Sequence, residues 1–400
     1  MLDEDKMPED PTNESAIANA LRNKKFQEAD EELDISNDDI LEERRERNNI
    51  AQQRKKIQEL ENALEEYSGH KMLVVIKGPP DPDSIASAWA HCFIAQNFGI
   101  ETQILYFDPI SHAENRALVK ALRVCLLQYN QDIDLSEFSC YALVDTPSED
   151  FPALATLPKD TPLFSLVDHH KKTGKVKASF VDIRENAGAT SSIYSEYLQY
   201  GKYTLSATSA TDAELATALH HGIRTDTDNF FLAREIDWRA SAYLSRFADR
   251  DLLRQIASSP ITANTMDILQ QALESKEIKD NYLFAGVSFV RESDRDGIAQ
   301  AADYLVRREG IDTAIVFGIV EDQYIHGSLR TRSSTMDPDS FLKEVLGADK
   351  ETGKPYGGGR FDKGGFQIPL SIFSDCVEKK LLWELVSKTI KAKFLKRLGA

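Results

Sequence analysis

Four short acidic runs in this sequence carry residue types that could do chemistry together. They are Asp81-Pro82-Asp83, Asp145, Asp168-His169-His170 and Asp226 within "GIRTDTDNF". Asp81 and Asp83 lie two apart in a tight turn before a helix, which lets both carboxylates reach one small volume. Each run alone has a plain explanation, since an Asp after a strand is commonly a helix cap or a turn former. All four together are harder to dismiss, because in a doubly wound sheet the strand ends are neighbours in space. Converged carboxylates repel one another and need cations. Oxygen ligands with one or two imidazoles suit Mn2+ or Mg2+ better than a thiolate-rich zinc site, and a pair of such ions is a standard device for attacking phosphorus.

The elements that must position these residues follow from the apolar pattern. "KMLVVIK" (71–77) reads as a strand, 83–99 as a helix and "ETQILYF" (101–107) as a second strand. A helix around 112–123 follows, then strands "YALVD" (141–145) and "FSLVD" (164–168) and helices near 189–199 and 210–222, the last taken to end at His221. Strands alternating with helices imply a mostly parallel sheet with helical crossovers. A helical stretch from about 237 to 275, broken at "SSPIT", looks like a connector. From Tyr282 the pattern resets to "YLFAGVSFV", a helix over 298–308, "DTAIVFGIV" and "YIHGSLRT". A helix around 338–346, the glycine-rich "KPYGGGRFDKGGF" and a helix from about 376 complete a second α/β domain.

The ordered set Asp81-x-Asp83, Asp145, Asp168-His169-His170 and Thr225-Asp226-Thr227 resembles the DHH phosphoesterase superfamily. "GSLRTR" and "GGGRFDKGGF" resemble its DHHA1 substrate-binding domain, and the similarity spans about residues 71–375. Within the superfamily the chain is most similar to the nanoRNase and phosphoadenosine-phosphate phosphatase branch, whose members cleave very short oligonucleotides, related nucleotides or cyclic dinucleotides. The resemblance implies an α/β fold with an N-terminal doubly wound DHH domain (71–255), a helical connector (256–276) and a smaller DHHA1-like domain (277–400). It also implies a hydrolase using Mn2+, with Mg2+ as second choice. Asp145 would bridge two ions, with Asp83, His169 and Asp226 completing one site and Asp81 serving the other. His170, with Asp168 beside it, would face the substrate and orient or protonate the leaving oxygen, while an ion-activated water attacks. In the second domain, Gly357, Gly358 and Gly359 would bring backbone N–H groups to phosphate, and Ser328, Arg330 and Arg360 would clamp the far end of the substrate. The bland alternative for these six is a glycine-rich surface turn with solvated arginines.

Two positions depart from the family pattern. Lys77 stands where the family has a histidine four residues before Asp81, and Arg360 stands where a histidine usually follows the glycines. The first change removes a metal ligand, so one tight site is expected, the second being weakened by Lys77. Other polar residues invite over-reading: His220 and His221 read as helix-terminal, His91 and His112 as structural or exposed, and Lys171 and Lys172 as a solvated pair.

Composition bounds the partners. At 400 residues the chain exceeds one comfortable core, and its net charge of −17 argues against a long nucleic acid. Residues 1–70 hold 20 acidic and 10 basic side chains, so the acidity is concentrated there. The first 40 residues are expected to be disordered, and 40–67 to form a helix with a thin apolar stripe that packs on the body, on a symmetry mate as a homodimer, or on a partner protein. Four dispersed cysteines, Cys92, Cys125, Cys140 and Cys376, argue against a disulfide framework and read as buried thiols of a reducing compartment. No apolar run of membrane-spanning length and no signal-peptide pattern is present, so a soluble cytoplasmic protein with no membrane partner is expected. The partner in view is a small phosphorylated nucleotide. A rival reading is a catalytically degenerate homologue that binds a nucleotide as a sensor or serves as a scaffold.

Overall fold

Runs of β-branched and aliphatic residues without polar interruption can only be strands covered on both faces. In the computed structural model, which describes residues 37–110, 112–147, 151, 154–171, 174, 176–360 and 362–398, they form the centre of a parallel sheet. Strands β1 (Lys71–Ile76), β2 (Glu101–Tyr106), β3 (Leu126–Gln128), β4 (Cys140–Val144), β5 (Leu163–Asp168) and β6 (Phe180–Ile183) lie in the order β3-β2-β1-β4-β5-β6. Every pairing is parallel, and β4 and β5 are buried along their whole length. The order reverses between β1 and β4, where the crossovers leave a crevice at the carboxyl ends. Asp81, Asp83 and Asp145 follow those two strands.

Helix α1 (Asn37–Glu65) precedes the sheet, and the chain divides into two compact units at Asn62 and Ala63. The expected disorder of the first 40 residues falls largely outside the described residues, as does Lys172. In the first sheet's layer, α2 (Pro82–Asn97), α3 (Ala113–Leu122), α4 (Thr190–Tyr200) and α5 (Ala210–Asp226) are followed by α6 (Glu235–Leu244) and α7 (Arg250–Ala257). Helix α8 (Ala263–Ser275) buries Ile268 and Ala272 in the second domain's core, with Leu283, Ile298 and Val316.

The second sheet is mixed. It comprises β7 (Glu277–Lys279), β8 (Tyr282–Val290), β9 (Thr313–Val320), β10 (Tyr324–Thr331), β11 (Gly357–Arg360) and β12 (Lys363–Pro369), ordered β11-β12-β10-β9-β8-β7. Only β8 and β9 pair in parallel. Helices α9 (Asp296–Leu305), α10 (Pro338–Leu346) and α11 (Lys379–Arg397) cover it. Among the described residues no helix is long and apolar enough to cross a membrane.

Two expectations are corrected, on the end of α5 and on the cysteines, and the bland alternative for the glycines is set aside. Helix α5 does not end at His221 but continues through Gly222 to Asp226. The glycine is there for packing: a Cβ would lie 2.6 Å from Ser191 Oγ and 3.0 Å from Asp83 Cα. The glycine-rich stretch is no surface turn but the antiparallel pair β11 and β12, in which a Cβ at Gly359 would lie 2.8 Å from Pro338 Cβ and one at Gly364 2.6 Å from Leu342 Cδ1. Absence of side chains lets α10 lie close over this edge. Of the cysteines, Cys92 and Cys140 are buried, whereas Cys125 is exposed and Cys376 partly so.

Candidate metal centre

Asp83 sits in the first turn of α2, is fully buried, and faces the start of α4. It accepts hydrogen bonds from the backbone N–H of Thr190 and of Ser191, both at 2.7 Å. A helix N-terminus favours such an anion. Asp81 caps α2, accepting from the Ser84 N–H at 2.8 Å. Asp145 leaves β4 with φ of 54°, a left-handed conformation that Asp tolerates, and accepts from Thr190 Oγ1 at 2.9 Å.

His169 Nε2 lies 3.0 Å from Asp226 Oδ2 and 3.5 Å from Asp145 Oδ1, yet it is buried and makes no well-directed hydrogen bond. Its Nδ1 faces the Ala187 carbonyl at 3.4 Å. Two sets of three donor atoms result, Asp83 with His169 and Asp226, and Asp145 with His169 and His170, each within 4.8 Å of one another. The structure therefore gathers these residues into two overlapping sets that share His169; Asp83 and Asp145 fall in different sets, and Asp81 is in neither.

The electrostatics are those of a site lacking positive charge. Burial, then the Asp226 charge, push the Asp83 carboxyl up to about 7. Burial and the charges of Asp83 and Asp81 hold Asp145 well above the usual carboxylate range, and burial with Asp226 raises Asp81. His169 moves the other way from what burial alone would do: the carboxylates of Asp226, Asp83 and Asp145 outweigh desolvation and lift it to about 10. Asp226, although buried, is kept below the usual range by the imidazole of His169, 3.0 Å away. A divalent cation at these donors would offset the same carboxylate charges.

Asp168 is fully buried, and its Oδ1 lies 2.9 Å from His170 Nδ1. The carboxylate can only accept, so Nδ1 carries the hydrogen and Nε2 presents a lone pair. That lone pair receives Arg360 Nη1–H, at 3.0 Å, from the second domain. Arg330 is engaged elsewhere: it donates to Ser328 Oγ at 2.7 Å and pairs with Asp303. Ser328, Arg330, Gly359 and Arg360 line one groove of about 410 Å³, together with His326 and Lys363. The expected nest of three open glycine N–H groups is corrected at Gly359, whose N–H is taken by Asp339 Oδ1 at 3.2 Å.

A relative, the uncharacterized protein MJ1633 of Methanocaldococcus jannaschii, is 34% identical over 349 residues, covering 86% of this chain and 68% of MJ1633. The fold is shared with an exopolyphosphatase-related protein of Bacteroides fragilis, at a TM-score of 0.58 and 13% identity, over 83% of this chain and 97% of that one. The chain belongs to the same family as MJ1633. RecJ of Thermus thermophilus, solved in complex with Mn2+, is also similar, at a TM-score of 0.41 and 12% identity over 84% of this chain and 55% of RecJ. No family model matches.

Three further histidines take structural places. His91 is buried against Tyr194 Oη at 3.0 Å, with burial pushing it down to about 4. His220 meets Ser241 Oγ at 3.0 Å, and His221 lies 3.4 Å from Glu114. Sequence reasoning missed Thr190, Ser191 and Asp237. The string "GATSS" at a helix start, small and hydroxyl-bearing, was the available signal for the first two.

Proposed function

We propose that the chain is a metal-dependent phosphoesterase that hydrolyses small phosphorylated nucleotides: short oligonucleotides, phosphoadenosine phosphate, or linear or cyclic dinucleotides. The observation that carries this reading is the pair of donor sets that share His169 at the switch point of the sheet, Asp83 with His169 and Asp226, and Asp145 with His169 and His170. The donor set fits Mn2+ or Mg2+: oxygen-rich with imidazole, and without thiolate. An ion held there would supply Lewis acidity and an activated water.

The chain's own groups do the rest. Asp168 fixes the ring of His170 so that Nε2 faces the reacting side. Arg360 stands at that nitrogen, where a phosphoryl oxygen of the substrate would displace one of the two groups and take hydrogen bonds from Arg360. The groove beyond Ser328 and Lys363 holds the remainder of the substrate. A single strongly bound ion is expected, since Lys77 offers no lone pair as an ammonium. The reading is tested by incubating the protein and Mn2+ with dinucleotides, phosphoadenosine phosphate and cyclic dinucleotides. Cleavage of at least one class supports it; binding without cleavage favours the nucleotide sensor.

A further inference from the structure

Asp237, in the first turn of α6, is a fully buried carboxylate outside the set of metal donors. Its oxygens lie 3.0 and 2.9 Å from the Gly188 N, 2.6 Å from Ser192 Oγ and 2.7 Å from the Arg234 N. The Arg234 bond is local capping. The other two reach the segment that opens α4, distant in sequence.

That segment is the one which touches the site. Ala187 offers its carbonyl to His169, Thr190 donates to both Asp83 and Asp145, and Ser191 donates to Asp83. Asp237 grips it on either side, at Gly188 and at Ser192. The fit is tight: a Cβ at Gly188 would lie 2.4 Å from Asp237 Oδ2 and 2.6 Å from Thr227 Cγ2, so only glycine admits the carboxylate. Ala189, the residue at the helix cap, provides no side-chain hydrogen bond of its own.

We infer that Asp237 is a positioning residue of the metal centre, holding residues 187–192 so that the Thr190 and Ser191 donors and the Ala187 carbonyl orient three proposed ligands, Asp83, Asp145 and His169. The inference rests on the metal-centre reading above. Groups that orient metal ligands from behind carry about 10- to 100-fold of the metal affinity, because a ligand free to rotate must be ordered when the ion binds. A carboxylate that served only to hold α6 against α4 would affect melting and leave affinity alone.

Mn2+ affinity of the purified full chain, read from the electron paramagnetic resonance signal of free Mn2+, separates these roles. Asp237→Asn swaps an acceptor for a donor facing the Gly188 and Arg234 N–H groups. It should weaken Mn2+ binding about 10- to 100-fold. Ser192→Ala removes one donor from the same carboxylate and should weaken binding by a smaller factor; it carries the test should Asp237→Asn fail to fold. Tyr243→Phe removes the bond from Tyr243 Oη to the Leu198 carbonyl, a link between the same two helices that bypasses the segment. It should lower melting without moving affinity. Unchanged affinity in Asp237→Asn and Ser192→Ala, with Mn2+ bound normally by the unmodified chain, overturns the positioning role alone. No Mn2+ uptake by the unmodified chain overturns the metal centre, and this inference with it.

Discussion

Arg360, on the edge strand β11 of the second sheet, donates its Nη1–H to Nε2 of His170, 3.0 Å away at the end of the first sheet. A phosphoryl oxygen that took the Arg360 Nη1–H would lie beside the His170 ring. On the proposed reading this contact would put Arg360 at the scissile group, whereas the sequence expectation put it at the far end of the substrate. Arg360→Ala should lower kcat about 10- to 150-fold, corresponding to the roughly 1.5–3 kcal/mol of a charged hydrogen bond, with KM little changed. A raised KM with kcat intact would return Arg360 to the distal end.

The same cluster predicts how the metal-free chain responds to pH. Asp83 has its folded value raised to about 7, so its contribution to stability is present below its unfolded value near 4 and is lost as pH rises through 7. His169, raised to about 10, contributes stability below its unfolded value near 6.5 and loses it as pH climbs through 10. Melting in EDTA should therefore fall from pH 5 to pH 9, and Asp83→Asn should flatten the lower half of that slope. A melting temperature rising with pH over this interval would contradict the charge balance described.

Ion binding should expel the protons that now neutralise the site. At pH 7, calorimetry in buffers of different ionisation enthalpy should report about one proton or more released per Mn2+, chiefly from His169 and Asp83. Release near zero would mean that His169 is not a ligand.

The strand-end carboxylates were legible as a set: one buried strand ending in Asp-His-His, such as Leu163–Asp168, also fits the start of a loop, but several such ends in one doubly wound sheet open on a shared crevice. The alternation of strands and helices was legible for the same reason of burial. What sequence hid is what packing decides. Gly222 looked like a helix stop, but α2 needs the room its missing Cβ leaves beside Asp83. Strands β3 and β6, of 3 and 4 residues, are too short to display a period. Asp237 lies in an ordinary-looking helix start, and nothing local reveals that its carboxylate faces Gly188.

Gly222 offers a direct check of that packing. Gly222→Ala would press a Cβ against Ser191 Oγ and the Asp83 backbone, costing about 1–3 kcal/mol of stability as overpacking does and weakening Mn2+ binding at the same time. A variant that melts normally and binds Mn2+ normally would show that α2 and α5 have slack at Asp83.

Lys77 follows β1 where a further imidazole would complete a second site. Lys77→His should recruit a second ion and raise kcat. Calorimetric titration of the unmodified chain decides the starting point: one tight Mn2+ is expected, and two comparable tight sites would remove the role given to Lys77.

The central claim is that the carboxylate and imidazole cluster is a metal centre for phosphoester hydrolysis. It is tested most directly by turnover of a dinucleotide or phosphoadenosine phosphate, measured with Mn2+ and with EDTA, in the unmodified chain and in Asp145→Ala. The account predicts hydrolysis that requires Mn2+, and a loss of about a thousandfold or more in Asp145→Ala, which should still fold because it relieves carboxylate repulsion. Hydrolysis that persists in EDTA, or that survives Asp145→Ala at near-normal rate, would contradict it.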